Sequence, residues 1–104
     1  SWEGWVIEQI AGCLQASGHS FEISHFATSD HYSVDLLLEY RGKKWAFDIS
    51  ISSHPDQDLM DHLRASAELV GADHTIMVSR TAEPGEYEGM RSLTLSDTLD
   101  MLLT

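Results

Sequence analysis

The segment from Val34 to Ile51 constrains the fold most. Val34, Leu36, Leu38 and Tyr40 share one parity, Arg41-Gly42 interrupts, and Trp45, Phe47, Ile49 and Ile51 resume at the same spacing. Alternation of this kind on both sides of a two-residue break predicts a β-hairpin with one apolar face. If Arg41-Gly42 is the whole turn, Tyr40 pairs with Lys43, Leu38 faces Trp45, Leu36 faces Phe47 and Val34 faces Ile49. In that register every apolar residue meets an apolar one. A slip by one residue would mismatch the apolar faces, so the pattern disfavours it. The same register sets Asp35 directly across from Asp48 on the opposite face, where paired Cβ atoms lie about 4.5–5.5 Å apart.

The flanks supply the remaining elements. Val6, Ile10, Cys13 and Leu14 recur at helical spacing between Trp2 and Ser17, and Gly18 is a natural stop. Phe21 to Phe26 reads as a weak strand. Ser53-His54-Pro55 resembles the start of a helix that runs through Met60, Leu63, Ala67 and Val70 to Gly71. Thr75 to Ser79 reads as a short buried strand, Thr81 to Gly89 as an acidic solvated loop and Arg91 to Leu95 as a last strand. Ser96 would cap a terminal helix through Leu103. The predicted order is α-β-β-β-α-β with a β-α appendage, an α/β fold with a mixed central sheet flanked by helices. No repeat or linker composition divides residues 1–104, so one domain is expected. The chain opens on Ser1 rather than Met, which fits a domain taken from a longer protein.

Several function classes are disfavoured. No apolar run reaches the roughly 18 residues of a membrane span, and no basic segment followed by an apolar one marks a signal peptide. A single cysteine, Cys13, excludes an internal disulfide framework and a cysteine-based zinc site, and fits a reducing, cytoplasmic setting. The six histidines show neither HxH nor HExxH spacing. His54, Asp58 and His62 stand four apart, which reads as a solvated helical face rather than a zinc pair. Trp2 and Trp5 read as packing residues, or as a contact to a neighbouring domain or protein partner. No glycine-rich phosphate loop occurs, and Gly85-Glu86-Tyr87-Glu88 has the wrong sign for phosphate.

The chemistry lies in the carboxylates. Two aspartates on adjacent strands repel unless something positive sits between them, and a divalent cation is the usual answer. Ser50 follows Asp48 by two residues on the same face, and Glu8 on the first helix is a third carboxylate if that helix packs over the sheet.

Gly4-x-x-x-Glu8 on a first helix, Ser33-Val34-Asp35, Asp48-Ile49-Ser50 after a hairpin turn, and the stretch from Leu63 to Gly71-Ala72 leading into Thr75–Ser79 together resemble a known pattern. It is that of the restriction-endonuclease-like PD-(D/E)XK nuclease superfamily, in the style of Mrr and the Holliday-junction resolvases. The resemblance covers about 80 of the 104 residues. It implies a restriction-endonuclease-like αβββαβ core, and Mg²⁺ (or Mn²⁺) held by Glu8, Asp35 and Asp48. The implied reaction is phosphodiester hydrolysis of nucleic acid, DNA foremost, by a metal-bound water. Ser50 stands where the family carries lysine, and Val34 replaces the motif proline. A serine hydroxyl cannot supply the positive charge of that lysine. Lys44 on the same strand face lies four residues before Asp48, roughly 13 Å along an extended strand and too far to substitute, which leaves Arg64 or His54 to swing in.

Net charge sharpens the choice. Seventeen acids against six basic residues give −11, whereas nucleic-acid binders carry a basic footprint. Two expectations follow: a metal-dependent nuclease that binds DNA with help from another domain, or a catalytically inactive nuclease-like module for interaction or assembly in a larger protein.

Overall fold

The computed structural model describes residues 1–104. Three helices and six strands follow in the order α1 (Trp2–Ala16), β1 (Phe21–Ala27), β2 (Ser33–Tyr40), β3 (Lys43–Ile49), α2 (Gln57–Val70), β4 (His74–Val78), β5 (Gly85–Tyr87), β6 (Met90–Leu93) and α3 (Leu95–Leu103). The strands form one mixed sheet in the order β1-β2-β3-β4-β6-β5. β1, β2 and β3 run antiparallel, β3, β4 and β6 run parallel, and β5 returns antiparallel to β6.

Helix ends follow local side-chain chemistry. The hydroxyl of Ser1 accepts the Gly4 N–H at the start of α1, and the Asp56 carboxylate accepts the Leu59 N–H at the start of α2. The cap of α2 is therefore Asp56, and the expected start at Ser53-His54-Pro55 lies in the preceding loop. Gly71 closes α2 in the left-handed region at φ 68°. Thr94, rather than Ser96, caps α3 by accepting the Asp97 N–H.

Helices cover both faces. Val6, Ile10 and Leu14 of α1 and Leu102 of α3 pack with Leu36, Leu38, Phe47, Ile76, Val78 and Leu93 on one side. Met60 and Leu63 of α2 pack with Met77 and Met90 on the other, and Ala67 packs with Val34 and Ala46 beside them. Cys13 is half-buried next to the α1 stripe. Trp2 packs against the large cluster while Trp5, with its ring 5.3 Å away, is 46% exposed.

The hairpin turn is Arg41-Gly42, both at positive φ (55° and 72°), and Tyr40 pairs with Lys43, Leu38 with Trp45 and Leu36 with Phe47 as the pattern predicts. The ladder stops there, and the expected pairing of Val34 with Ile49 and of Asp35 with Asp48 does not form. Between β1 and β2, Ser24 pairs with Leu37 but Phe26 pairs with Val34, so β2 carries an extra residue at Asp35–Leu36. This bulge sends Val34 to the α2 side and leaves Leu36 on the α1 side, although the two are two positions apart. β3 ends at Ile49, and Ile51 is 66% exposed rather than a continuation of the strand. Gly85–Tyr87, expected as loop, pairs with β6, and Tyr87 packs on the methionine cluster of α2, β4 and β6.

Candidate functional site: the aspartate clasp

In the parallel part of the sheet, β3, β4 and β6 end on one edge, and the antiparallel β2 begins there. Open α/β sheets place ligands at this carboxyl edge, and Asp35, Asp48 and Ser50 all lie along it. The bulge decides how the first two meet. With β2 bent away from β3, the Asp35 N–H donates to Asp48 Oδ1 at 3.0 Å, and the Ile49 N–H donates to Asp35 Oδ2 at 2.9 Å. Each carboxylate thus takes a backbone donor that the interrupted ladder would leave unpaired. Next to them, Ser66 of α2, fully buried, accepts the Ser33 N–H through its hydroxyl at 3.1 Å.

The two acids approach from different sides. Asp35 and Leu36 line a cleft of about 250 Å³ with Ile7 of α1. Asp48, with a side chain only 13% exposed, lies 3.8 Å from His62 Nδ1 on α2. His62 Nε2 is 2.8 Å from the His31 carbonyl. A carbonyl can only accept, so Nε2 carries a proton, and Nδ1 is the nitrogen presented to Asp48. His62 therefore ties the β1–β2 loop to the aspartate pair.

Electrostatics records the crowding. Burial, followed by the charge of Asp35, pushes the Asp48 carboxyl up to about 6, against the opposing pull of the Asp35 N–H and of His62. Glu3 adds a further small upward push. Glu3 is itself held above its ordinary range, first by desolvation and then by Asp35.

Glu8, expected as the helix carboxylate, is exposed and is not among the charges acting on Asp48. Glu3, also exposed, is the α1 carboxylate whose charge reaches Asp48, as the smallest of the contributions. Five residues of helix rotate a side chain by ~140° relative to its origin, so the two glutamates of α1 cannot present to the same point. Ser50 is half-buried, its hydroxyl accepts the Ser52 N–H at 3.1 Å, and its N–H donates to the Val78 carbonyl. It closes a turn at the end of β3. The side chains that could have replaced a lysine are engaged elsewhere. Lys44 donates to the Val70 carbonyl at the end of α2, Arg64 bridges Asp61 and Glu88, and the His54 ring contacts Ser53 Oγ. His54 stands outside α2, so the spacing His54-Asp58-His62 assembles nothing.

No group of three or more His, Cys, Asp or Glu side chains is placed to hold a metal ion. Asp35 and Asp48 each already accept a backbone N–H, and Glu8 stands apart from them. This donor set does not fit the three-carboxylate Mg²⁺ site that the resemblance implies. Of the basic residues, Arg41 lies over the Tyr40 ring, and Lys44, Arg64 and Arg91 have intramolecular partners. Lys43 opens β3 and Arg80 follows the end of β4, at opposite edges of the sheet. No basic face results. Sequence reasoning passes over Glu3 and reads His62 only as part of a solvated helical face, and the first-turn position of Glu3 beside the capping Ser1 is the one signal that could have found it.

The fold and the site define a small α/β domain whose sheet opens at one end around a clasped pair of aspartates, and no helix is long and apolar enough to cross a membrane. The chain belongs to the family described as Domain of unknown function (DUF4143), whose model matches residues 1–97. No curated protein and no solved structure matches it.

Proposed function

We propose that this domain is a restriction-endonuclease-like module that serves interaction or assembly in a larger protein, without cleaving nucleic acid. The clasp carries the reading. Asp35 and Asp48 each accept a main-chain N–H of the neighbouring strand, so the acids that would hold a metal in a nuclease serve here to close a bulged sheet. Ser50 in the lysine position, spent on a turn, supports the same reading. So does the absence of any gathered positive charge to receive a phosphodiester backbone.

A metal-dependent nuclease acting on DNA is the second reading. Desolvation first, and then the charge of Asp35, raises the carboxyls of Glu3 and Asp48, and a divalent cation would relieve the part due to charge.

Incubation of the domain with supercoiled and four-way-junction DNA in Mg²⁺ or Mn²⁺ separates the two. The module reading expects intact DNA at every metal concentration. Cleavage that is lost in Asp48→Asn would establish the nuclease.

A further inference from the structure

We infer that the outer edge of β1 takes an added strand from a basic, extended peptide segment of a partner protein. This rests on the interaction-module reading and names the surface and the chemistry of its partner.

β1 has β2 on one side and no strand on the other. Its seven residues, Phe21–Ala27, leave Glu22 to His25 exposed. Open edges are normally guarded by lysine, proline, a bulge in the edge strand or extreme shortness. The opposite edge, β5, has the last of these with three residues. β1 has neither lysine nor proline in its sequence FEISHFA, the extra residue lies in β2, and its one charged side chain is Glu22, which a basic partner would neutralise. A strand added here would satisfy the outward-facing N–H and C=O groups of the β1 backbone.

The two faces of that edge specify the side chains of the visitor. On the α1 side, Ile23, 42% exposed, lies in the cleft with Ile7, an apolar row for alternate residues of an incoming strand. On the other side, Glu22 is paired directly with Glu39. Like charges opposite one another destabilise a ladder, and a lysine or arginine on a third strand beside Glu22 would relieve the repulsion. An open groove of about 570 Å³ at this end of β1 is bordered by both glutamates, with Arg41 as its one cation. The visitor is therefore a strand with apolar residues on one face and basic residues on the other.

Charge also decides against the alternatives. A second copy would bring −11 against −11, and a nucleic acid would set phosphates beside Glu22 and Glu39.

The test is titration of the domain with a blocked peptide of alternating lysine and valine, matched in length to β1, followed by backbone amide NMR. Shifts and slowed hydrogen exchange confined to Phe21–Ala27 and its β2 partners are expected. The same peptide with glutamate for lysine should leave the spectrum unchanged. Glu22→Gln should weaken binding roughly two- to fivefold, the size of an exposed ion pair. Ile23→Lys, which restores an edge guard, should abolish it, and unchanged amide dispersion verifies that both variants fold. Absence of shifts in β1, equal binding of the acidic peptide, or a dimer in sedimentation that protects the β1 amides would each overturn the inference. DNA cleavage by the same preparation would instead overturn the module reading and leave strand addition standing.

Discussion

Asp35 and Asp48 hold each other's strands. The Asp48 carboxylate receives the Asp35 N–H at 3.0 Å, while the Asp35 carboxylate reaches past it to the Ile49 N–H at 2.9 Å. The bulge in β2 removes the ladder bonds that would ordinarily join these strands, and the two acids replace them. The arrangement has an electrostatic penalty, because it sets two negative groups together where one is largely shielded from water.

That penalty predicts a pH dependence of stability. Burial and the Asp35 charge raise the Asp48 carboxyl from an ordinary 3.8 to about 6. Between those values the folded chain holds a proton that the unfolded chain has released, so the contribution of Asp48 to stability is fully present below about pH 4 and is lost as pH rises through 6. A rise of that size corresponds to roughly 3 kcal/mol. Asp48→Asn keeps an oxygen for the Asp35 N–H and removes the charge. It should stabilise the domain by about 1–3 kcal/mol above pH 7 and flatten the slope between pH 4 and 6. Urea unfolding of both proteins across that range measures this, and a variant less stable at neutral pH would show that the ionised pair is favourable.

The hairpin turn predicts a stabilising substitution. Arg41 sits at φ 55°, a region that costs an ordinary residue about 1–2 kcal/mol and that asparagine tolerates. The contact of its guanidinium with the Tyr40 ring, 5.0 Å to the centroid, returns about 0.5 kcal/mol at an exposed position. The conformational term is larger, so Arg41→Asn should raise stability by about 0.5–1 kcal/mol. Thermal unfolding at one pH and salt concentration measures the sign.

Much of this hairpin was legible because its apolar residues alternate without a break. Leu36, Leu38 and Tyr40 against Phe47, Trp45 and Lys43 admit one register, and the structure has it. The bulge was not legible for a physical reason. Helices cover both faces of the sheet at the start of β2, so Val34 is buried on the α2 side as fully as it would have been on the α1 side. An apolar residue there carries no information about parity, and Asp35 was assigned a facing partner it does not have. Helical spacing identifies a face only relative to a known packing direction, so the sequence does not reveal which glutamate of α1, Glu3 or Glu8, lies near enough to act on Asp48. β5 escaped notice because three residues carry no alternation to read. Gly85–Tyr87 becomes a strand through pairing with β6 and the packing of Tyr87 on Met60, Met77 and Met90.

The last helix is fastened by one buried hydroxyl. Tyr40 Oη donates to the Leu102 carbonyl at 2.8 Å, and both residues are buried. That carbonyl belongs to the final turn of α3, where no helical partner remains. Tyr40→Phe keeps the ring packing and leaves the carbonyl unpaired, for a loss of about 1–2 kcal/mol. Amides of α3 should then exchange faster relative to those of α2, while a uniform change across the chain would mean that α3 has no separate anchor.

The titration of Asp48 tests most directly whether Asp35 and Asp48 clasp strands or hold a metal. The Asp48 carboxyl carbon can be followed by NMR against pH, with and without Mg²⁺. The clasp predicts a midpoint near 6, the value set by burial and Asp35, and the same midpoint in saturating Mg²⁺. A midpoint that Mg²⁺ drives down into the ordinary carboxylate range would contradict it, because only a cation bound at the pair would favour the ionised form so strongly.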